Sequence, residues 1–253
     1  MKKVLGSLYA IVSYAVGFVA LVYWIASTGN LLPETSIDGD PVMNTILALL
    51  KDVALVLLFA LQHSVMARKG FKKWLTHYIP VHLERSTYVL MTGLVVILMV
   101  WQWEPLGGVI WDVRASAFAY YFLYSAFFFG WVILFISTFL VNHFDLFGLR
   151  QAYLNFINEP YSEIDFKVVS LYKYTRHPIY LGAVIGVWST PLMTVTHMLF
   201  ALLLTAYIFV GIQLEERDLI RTFREDYLRY KASTPMLLPF KKSKTKKDIP
   251  DNY

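Results

Sequence analysis

Tyr172-Lys173-Tyr174-Thr175-Arg176-His177-Pro178-Ile179-Tyr180-Leu181-Gly182 is the point at which this chain leaves a charged, aqueous segment for an apolar one. Residues 179–214 are almost uncharged and end on Glu215-Glu216-Arg217-Asp218. That apolar interval is too short for two crossings of about 20 residues each plus a turn. It therefore predicts a short helical hairpin with Pro191 near its bend, whose second helix runs on past the membrane surface through residues 215–230. A hairpin returns the chain to polar surroundings and so brings Arg176 and His177 towards Glu215 and Glu216. Pro178 suits the first helical position, where the missing N–H is one of the donors a helix start leaves unpaired and φ is already helical. Residues 175–177 are then a helix start, with free backbone N–H groups and a positive dipole end that suit a ligand carboxylate or phosphate. Arg176 adds a fixed charge with bidentate reach. The two acids on the returning arm can meet an ammonium, a sulfonium or ribose hydroxyls, so the paired ends read as a site for a small zwitterionic cofactor.

Outward from this hairpin, composition points to a membrane. The chain has 253 residues, 57% hydrophobic and 16% charged, which is outside the usual range for a soluble domain. Apolar runs of spanning length, or close to it, occupy residues 4–26, 45–61, 87–103 and 117–141. The first follows Lys2 and Lys3 but is longer than the apolar core of a signal peptide, about 7–15 residues, and is read as a helix. The expected fold is all-α, a polytopic integral membrane helix bundle: four full spans, a shorter C-terminal helical hairpin and a cytoplasmic C-terminal helix. Residues 1–240 make one membrane domain and residues 241–253 a basic tail.

Charge sets the orientation. Lys2, Lys3, Arg68, Lys69, Lys72, Lys73, Arg85 and the lysines of residues 241–247 fall on alternate loops, with Glu34, Asp38 and Asp40 on an intervening one. This predicts an integral protein of a bacterial inner membrane with both termini and the cofactor site cytoplasmic. The net charge of +5 then serves topology and the lipid bilayer, not nucleic acid. No cysteine is present, which excludes disulfides, thiolate metal sites and a covalent cysteine mechanism. The histidines are scattered without a His-x-x-x-His pair, so no metal is expected.

Single residues carry weaker signals. Residues 30–41 read as a plain connector, and Trp24, Trp101, Trp103 and Trp111 as interfacial anchors. The short loop 103–114 has Gly107-Gly108 as a turn signal. Asp52 lies inside a span, where a carboxylate needs Lys51, Arg114 or a polar group from another helix. His63 sits at a membrane edge and reads equally as a hydrogen-bonded core residue or a functional one. The aromatic-rich span 117–141 serves lipid contact and packing, with part of one face free to line a small apolar chamber. His143-x-Asp145 can orient an imidazole as a base, although spacing alone favours an interfacial network with Arg150. Residues 151–173 mix polar groups with aromatics and read as a cytoplasmic cap or lid.

Arg-His-Pro-x-Tyr-x-Gly at 176–182, Glu-Glu-Arg-Asp-Leu at 215–219 and Tyr227-x-x-Tyr230 before Pro235 together resemble the C-terminal S-adenosylmethionine site of integral-membrane methyltransferases. That superfamily includes the isoprenylcysteine carboxyl and phospholipid methyltransferases. With residues 63–68 and 142–150 added, the chain is most similar to the methanethiol S-methyltransferases, close to the NnrU-like membrane proteins. The resemblance implies that S-adenosylmethionine is held by Tyr174, Arg176, His177, Pro178, Tyr180, Leu181, Gly182, Glu215 and Glu216, with Tyr227 and Tyr230 near the adenosine or closing the site. Gly182 would permit close backbone approach. A small thiol substrate is mostly protonated near neutral pH, and its thiolate is the nucleophile. The resemblance therefore nominates His63 and His143 as bases, Asp145 as orienting group, and Arg150 or Arg217 to stabilise negative charge. A bound sulfonium also favours the anion, so a base is dispensable. Three other readings stay open at this point: methylation of a lipid acceptor, a nicotinamide-binding sterol-reductase relative lacking the glycine-rich fingerprint, and a non-enzymatic NnrU-like protein.

Overall fold

The computed structural model describes residues 1–239; the basic segment 241–253 lies outside the described residues. Nine α-helices follow one another among these: α1 (Lys2–Thr28), α2 (Thr45–Met66), α3 (Lys69–Leu75), α4 (Glu84–Trp101), α5 (Ala117–Val141), α6 (His143–Leu146), α7 (Leu149–Phe156), α8 (Pro178–Trp188) and α9 (Val195–Ser233). Their starts follow local chemistry. The Asn44 side chain accepts from Ile46 N and Leu47 N at α2, Ser116 from Ala119 N at α5, and Thr194 from His197 N at α9, while Pro178 opens α8.

Among the described residues five helices are long and apolar enough to cross a membrane: α1, α2, α4 with the turn before it (Val81–Trp101), α5 and α9. The C-terminal hairpin is thus unequal. Its first arm, α8, has 11 residues, whereas its second belongs to a 39-residue helix broken only at Arg224, where φ is 45° and ψ −115°. No proline interrupts residues 195–234, so the apolar arm passes into its charged extension without a stop.

One feature departs from an all-α chain. β1 (Val109–Asp112) pairs antiparallel with β2 (Leu192–Thr194), Val109 opposite Thr194 and Trp111 opposite Met193. The ribbon joins two loops far apart in sequence at the end of the bundle remote from Arg176. At that same end residues 30–41, expected as a plain connector, are anchored. The Asp38 carboxylate accepts from Thr194 Oγ1 (2.6 Å) and Asn30 Nδ2 (2.7 Å) and meets His197 Nδ1 at 2.8 Å, fully buried. Burial raises the Asp38 pKa, but the His197 bond and charge, with Thr194 and Asn30, bring it net below the ordinary carboxylate value.

Asp52 is buried and its Oδ1 accepts from Glu104 N at 3.0 Å. Lys51 pairs instead with Glu104 (2.7 Å) and Arg114 with Asp112 (2.7 Å). Two expected anchors also change role: Trp24 and Trp103 both pack edge-on against buried Phe200 inside the core, whereas Trp101 remains exposed.

Glycines bring helix pairs together. A Cβ on Gly182 of α8 would lie 2.5 Å from Gly130 O and 2.6 Å from Leu134 N of α5, and one on Gly130 would lie 2.5 Å from Gly186 N. Backbone against backbone leaves no side chain to yield, so α5 and α8 form a close small-residue seam. Gly17 and Gly93 do the same for α1 and α4.

Candidate active site

The start of α8 and the polar part of α9 meet as the sequence predicts, but with Arg176 turned inward. Its Nε and Nη2 reach Glu216 Oε1 at 2.8 and 2.7 Å, and its Nη1 donates to the carbonyls of Lys231 and Thr234. His177 Nε2 meets the same Glu216 oxygen at 3.1 Å, and Lys231 Nζ meets Glu216 Oε2 at 2.6 Å. Arg176, His177 and Glu216 are all buried. A buried carboxylate is tolerable only with its charge matched and its lone pairs occupied, and three basic side chains supply that here. The backbone donors expected to be free are also used: Arg176 N donates to Pro235 O and His177 N to Met236 O, while Thr175 Oγ1 donates to Met236 O. The segment after α9 is thus strapped across the helix start.

What remains open to a ligand is the neighbouring face. The Glu215 side chain is 44% exposed; it accepts from Tyr180 Oη at 2.8 Å and stands 3.8 Å from His177 Nδ1. Tyr227 is buried, and its hydroxyl has no partner within hydrogen-bond distance among the described residues. Tyr230 is occupied, its hydroxyl donating to Tyr172 O at 2.6 Å. Phe166, from the segment read as a lid, packs tilted on Phe223 and edge-on against Tyr227 and Tyr230, covering the polar end of α9.

The other nominated residues scatter. Tyr174 and Arg217 are exposed, Leu181 is half-buried and Pro178 is buried. Gly182 is spent on the α5 seam, not on an approach from outside the protein. His63 belongs with the Tyr180 side: both ring nitrogens lie within 3.0 Å of Tyr88 Oη, and the ring packs on Phe59 and Tyr207. Tyr207 Oη bonds Ser64 Oγ at 3.1 Å, and Arg68 pairs with Asp218 one helical turn below Glu215. Tyr180 and Tyr207 pack against the same core cluster that holds Phe59. These groups form a tyrosine-lined zone between α2, α4, α8 and α9.

His143 lies elsewhere. It is buried, with Nε2 bonded to Tyr14 Oη and Nδ1 to Thr138 Oγ1, both at 2.8 Å, and it stacks on Phe139. Asp145 does not orient it; that carboxylate pairs with Arg150 at 2.9 Å, and Arg150 also bonds Ser162. The structure therefore brings His63 to the Glu215 side and leaves His143, Asp145 and Arg150 apart from it. Sequence reading missed Tyr88, Tyr207 and Lys231. Only Tyr207 carried a signal, as a polar group on the apolar arm of the hairpin.

Comparison with known proteins gives the family. Residues 108–234 match the family described as a protein of unknown function (DUF1295). The chain is 47% identical to a methanethiol S-methyltransferase of Crocosphaera subtropica over 92% of this chain and 91% of the relative. It is 44% identical to that of Mycobacterium tuberculosis over 95% and 98%, and 45% identical to methanethiol S-methyltransferase 1 of Bradyrhizobium diazoefficiens over 95% and 84%. No solved structure matches the chain. At this identity, over nearly the whole of both chains, the protein belongs to the methanethiol S-methyltransferase family.

Proposed function

We propose that this protein transfers the methyl group of S-adenosylmethionine to methanethiol, giving dimethyl sulfide and S-adenosylhomocysteine. The observation that carries the reading is the half-exposed Glu215 carboxylate. It is held by Tyr180 against the buried Arg176–Glu216–Lys231 cluster, in a chain whose relatives bear that enzymatic name.

The residues present fit such a cofactor. Glu215 offers a carboxylate oxygen to an ammonium or ribose hydroxyl, and the unpartnered Tyr227 hydroxyl can exchange a hydrogen bond with it. When bound, S-adenosylmethionine supplies an electrophilic methyl group on a sulfonium, which a thiolate sulfur takes in line. The protein's task is then positioning and exclusion of water. His177, pinned by Glu216, and Tyr180, pinned by Glu215, present a fixed wall. The tyrosine-lined zone beside them offers hydroxyl groups among apolar side chains, a lining that suits a small thiol. His63 accepts the thiol proton in this scheme, and Tyr88 holds the imidazole in one orientation.

We place both termini and the site at the cytoplasmic face. Supporting this, Lys2, Lys3, Arg68, Lys69, Lys72, Lys73 and Arg85 share one end of the bundle with the motifs, while Glu34, Asp38 and Asp40 sit at the other. The chain then crosses six times. Five passages are α1, α2, α4, α5 and α9. The sixth combines α8, roughly 16 Å at 1.5 Å per residue, with the extended stretch 189–194, roughly 20 Å more, against a hydrocarbon core of about 30 Å.

Calorimetry on the detergent-purified protein tests the reading. S-adenosylmethionine should bind, Glu215→Gln should weaken it at least about tenfold, as expected for loss of a charge-assisted contact, and methanethiol should be consumed where a prenylated cysteine peptide is not. Methylation of the prenylated peptide in preference to the small thiol would refute the acceptor; no cofactor binding by folded protein would refute the class.

A further inference from the structure

A second built cavity, of about 550 Å³, opens on the same end of the bundle but shares no residue with the Arg176–Glu215 site. It lies where α4 begins and α5 ends, between the α3–α4 connection on one side and α6, α7 and the following loop on the other. Polar side chains, among them Lys72, Glu84, Arg85, Asp145, Gln151 and Glu159, line it together with valine, leucine and isoleucine side chains. Its size is that of a ligand pocket.

The charges of this lining do not all cancel within the protein. Lys72 stands 3.7 Å from Glu84, and Asp145 is matched by Arg150. Arg85 spends its Nε on Leu146 O at 2.7 Å and lies over the Tyr88 ring at 4.9 Å. No carboxylate among the described residues lies within ion-pair distance of it, so the two terminal nitrogens of its guanidinium have no anionic partner. Glu159, exposed, likewise pairs with no cation among them. Among the described residues the buried Gln151 Oε1 has no hydrogen-bond donor, and Glu84 Oε1 faces only Lys72 Nζ, at 3.7 Å. One unmatched cation, one unmatched anion and one buried amide acceptor together fit a ligand carrying both an anion and an ammonium, not a simple anion.

Position decides its source. The cavity sits at the level where two spans enter the apolar layer, and beside it α3 and the turn after it show Trp74 and Tyr78, both more than half exposed, near Lys69 and Lys73. Aromatic and basic groups so mixed mark the headgroup layer. We propose that this cavity is a binding site for a phospholipid of the surrounding bilayer bearing a phosphodiester and a primary ammonium, a phosphatidylethanolamine. Arg85 receives the phosphodiester, for which a guanidinium has bidentate reach. The ammonium is taken by Glu159. The acyl chains leave along Val81 and Val141 into the bilayer.

The test is native mass spectrometry of the delipidated full-length chain titrated with phosphatidylethanolamine, phosphatidylglycerol or phosphatidylcholine of identical acyl chains. Soluble glycerophosphoethanolamine runs in a parallel arm. The expected result is binding of phosphatidylethanolamine at least tenfold tighter than of the other two lipids, with the soluble headgroup much weaker than the lipid. Arg85→Ala should lower affinity for all three lipids. Because Arg85 also touches Tyr88 and can affect folding, Glu159→Gln is the second variant: its side chain is exposed, and it should reduce the preference for phosphatidylethanolamine over phosphatidylglycerol at least threefold. Lipid affinities and preference unchanged in both variants would overturn the site, and equal binding of the soluble headgroup and the lipid would overturn the bilayer as its source.

Discussion

Replacing Gly182 with alanine separates two uses of one glycine. The added Cβ would stand 2.5 Å from Gly130 O and 2.6 Å from Leu134 N; both are backbone atoms, so relief requires α5 and α8 to part. Ordinary contact begins at 3.4 Å, so the helices must separate by 3.4 − 2.5, about 0.9 Å. Over-packing of a close seam costs roughly 1–3 kcal/mol, and a reacting group displaced by about 1 Å costs on the order of a hundredfold in rate. Because α8 carries His177 and Tyr180, Gly182→Ala should lower the thermal midpoint and the turnover together. Gly211→Ala is the control: nothing lies within 4 Å of its added Cβ, and alanine is favoured over glycine in a helix by about 1 kcal/mol, so its midpoint should hold or rise. Thermal unfolding in detergent, methyl transfer and cofactor calorimetry on the same preparations give the comparison. A Gly182→Ala protein with unchanged midpoint and selective loss of cofactor binding would refute the seam and restore the view that Gly182 makes room for the cofactor.

Other substitutions probe the remaining contacts. Arg176→Ala strands the buried Glu216 with less than its full set of partners and should cost about 3–5 kcal/mol; Arg176→Lys should not restore it, since one ammonium cannot reach Glu216 and two carbonyls in the guanidinium's geometry, and midpoints measure both. His63→Ala should cut turnover more than cofactor affinity, whereas His143→Ala should lower stability while the folded fraction keeps its turnover; the opposite pattern would exchange their roles. Asp38 titrates below its unfolded value, so its contribution is present above the ordinary carboxylate range and is lost as pH falls through its folded pKa. Asp38→Asn should therefore lower the midpoint near neutrality and flatten its decline in acid; an acid limb parallel to that of the parent protein would contradict the assignment.

Much of this was legible in the sequence, for physical reasons. A bilayer imposes lengths, so hydropathy located four of the five long helices, and the hairpin reading placed Arg176 and His177 beside Glu215 and Glu216; α9, expected as a short arm, is itself long and apolar enough to cross. What stayed hidden depends on partners distant in sequence. Arg176 reads as a ligand-facing cation until Lys231, Thr234 and Pro235 fold back over it. Gly182 reads as a cofactor glycine until Gly130 arrives from α5. Trp24 and Trp103 sit at span ends, where an indole belongs at the interface, yet Phe200 from α9 draws both inward. The β1–β2 ribbon joins two short segments with no alternating pattern of their own, and the His143-x-Asp145 spacing shows nothing of Tyr14 or Thr138, which occupy the imidazole.

The central claim is the identity of donor and acceptor. Its most direct measurement supplies purified protein with S-adenosylmethionine carrying a trideuterated methyl group, adds methanethiol, and follows the headspace by gas chromatography with mass detection alongside S-adenosylhomocysteine in solution. Dimethyl sulfide bearing the intact deuterated methyl, formed in equal amount with S-adenosylhomocysteine and lost on Glu215→Gln, is the predicted result. Unlabelled product, or S-adenosylhomocysteine released with the label found only in lipid, would contradict it.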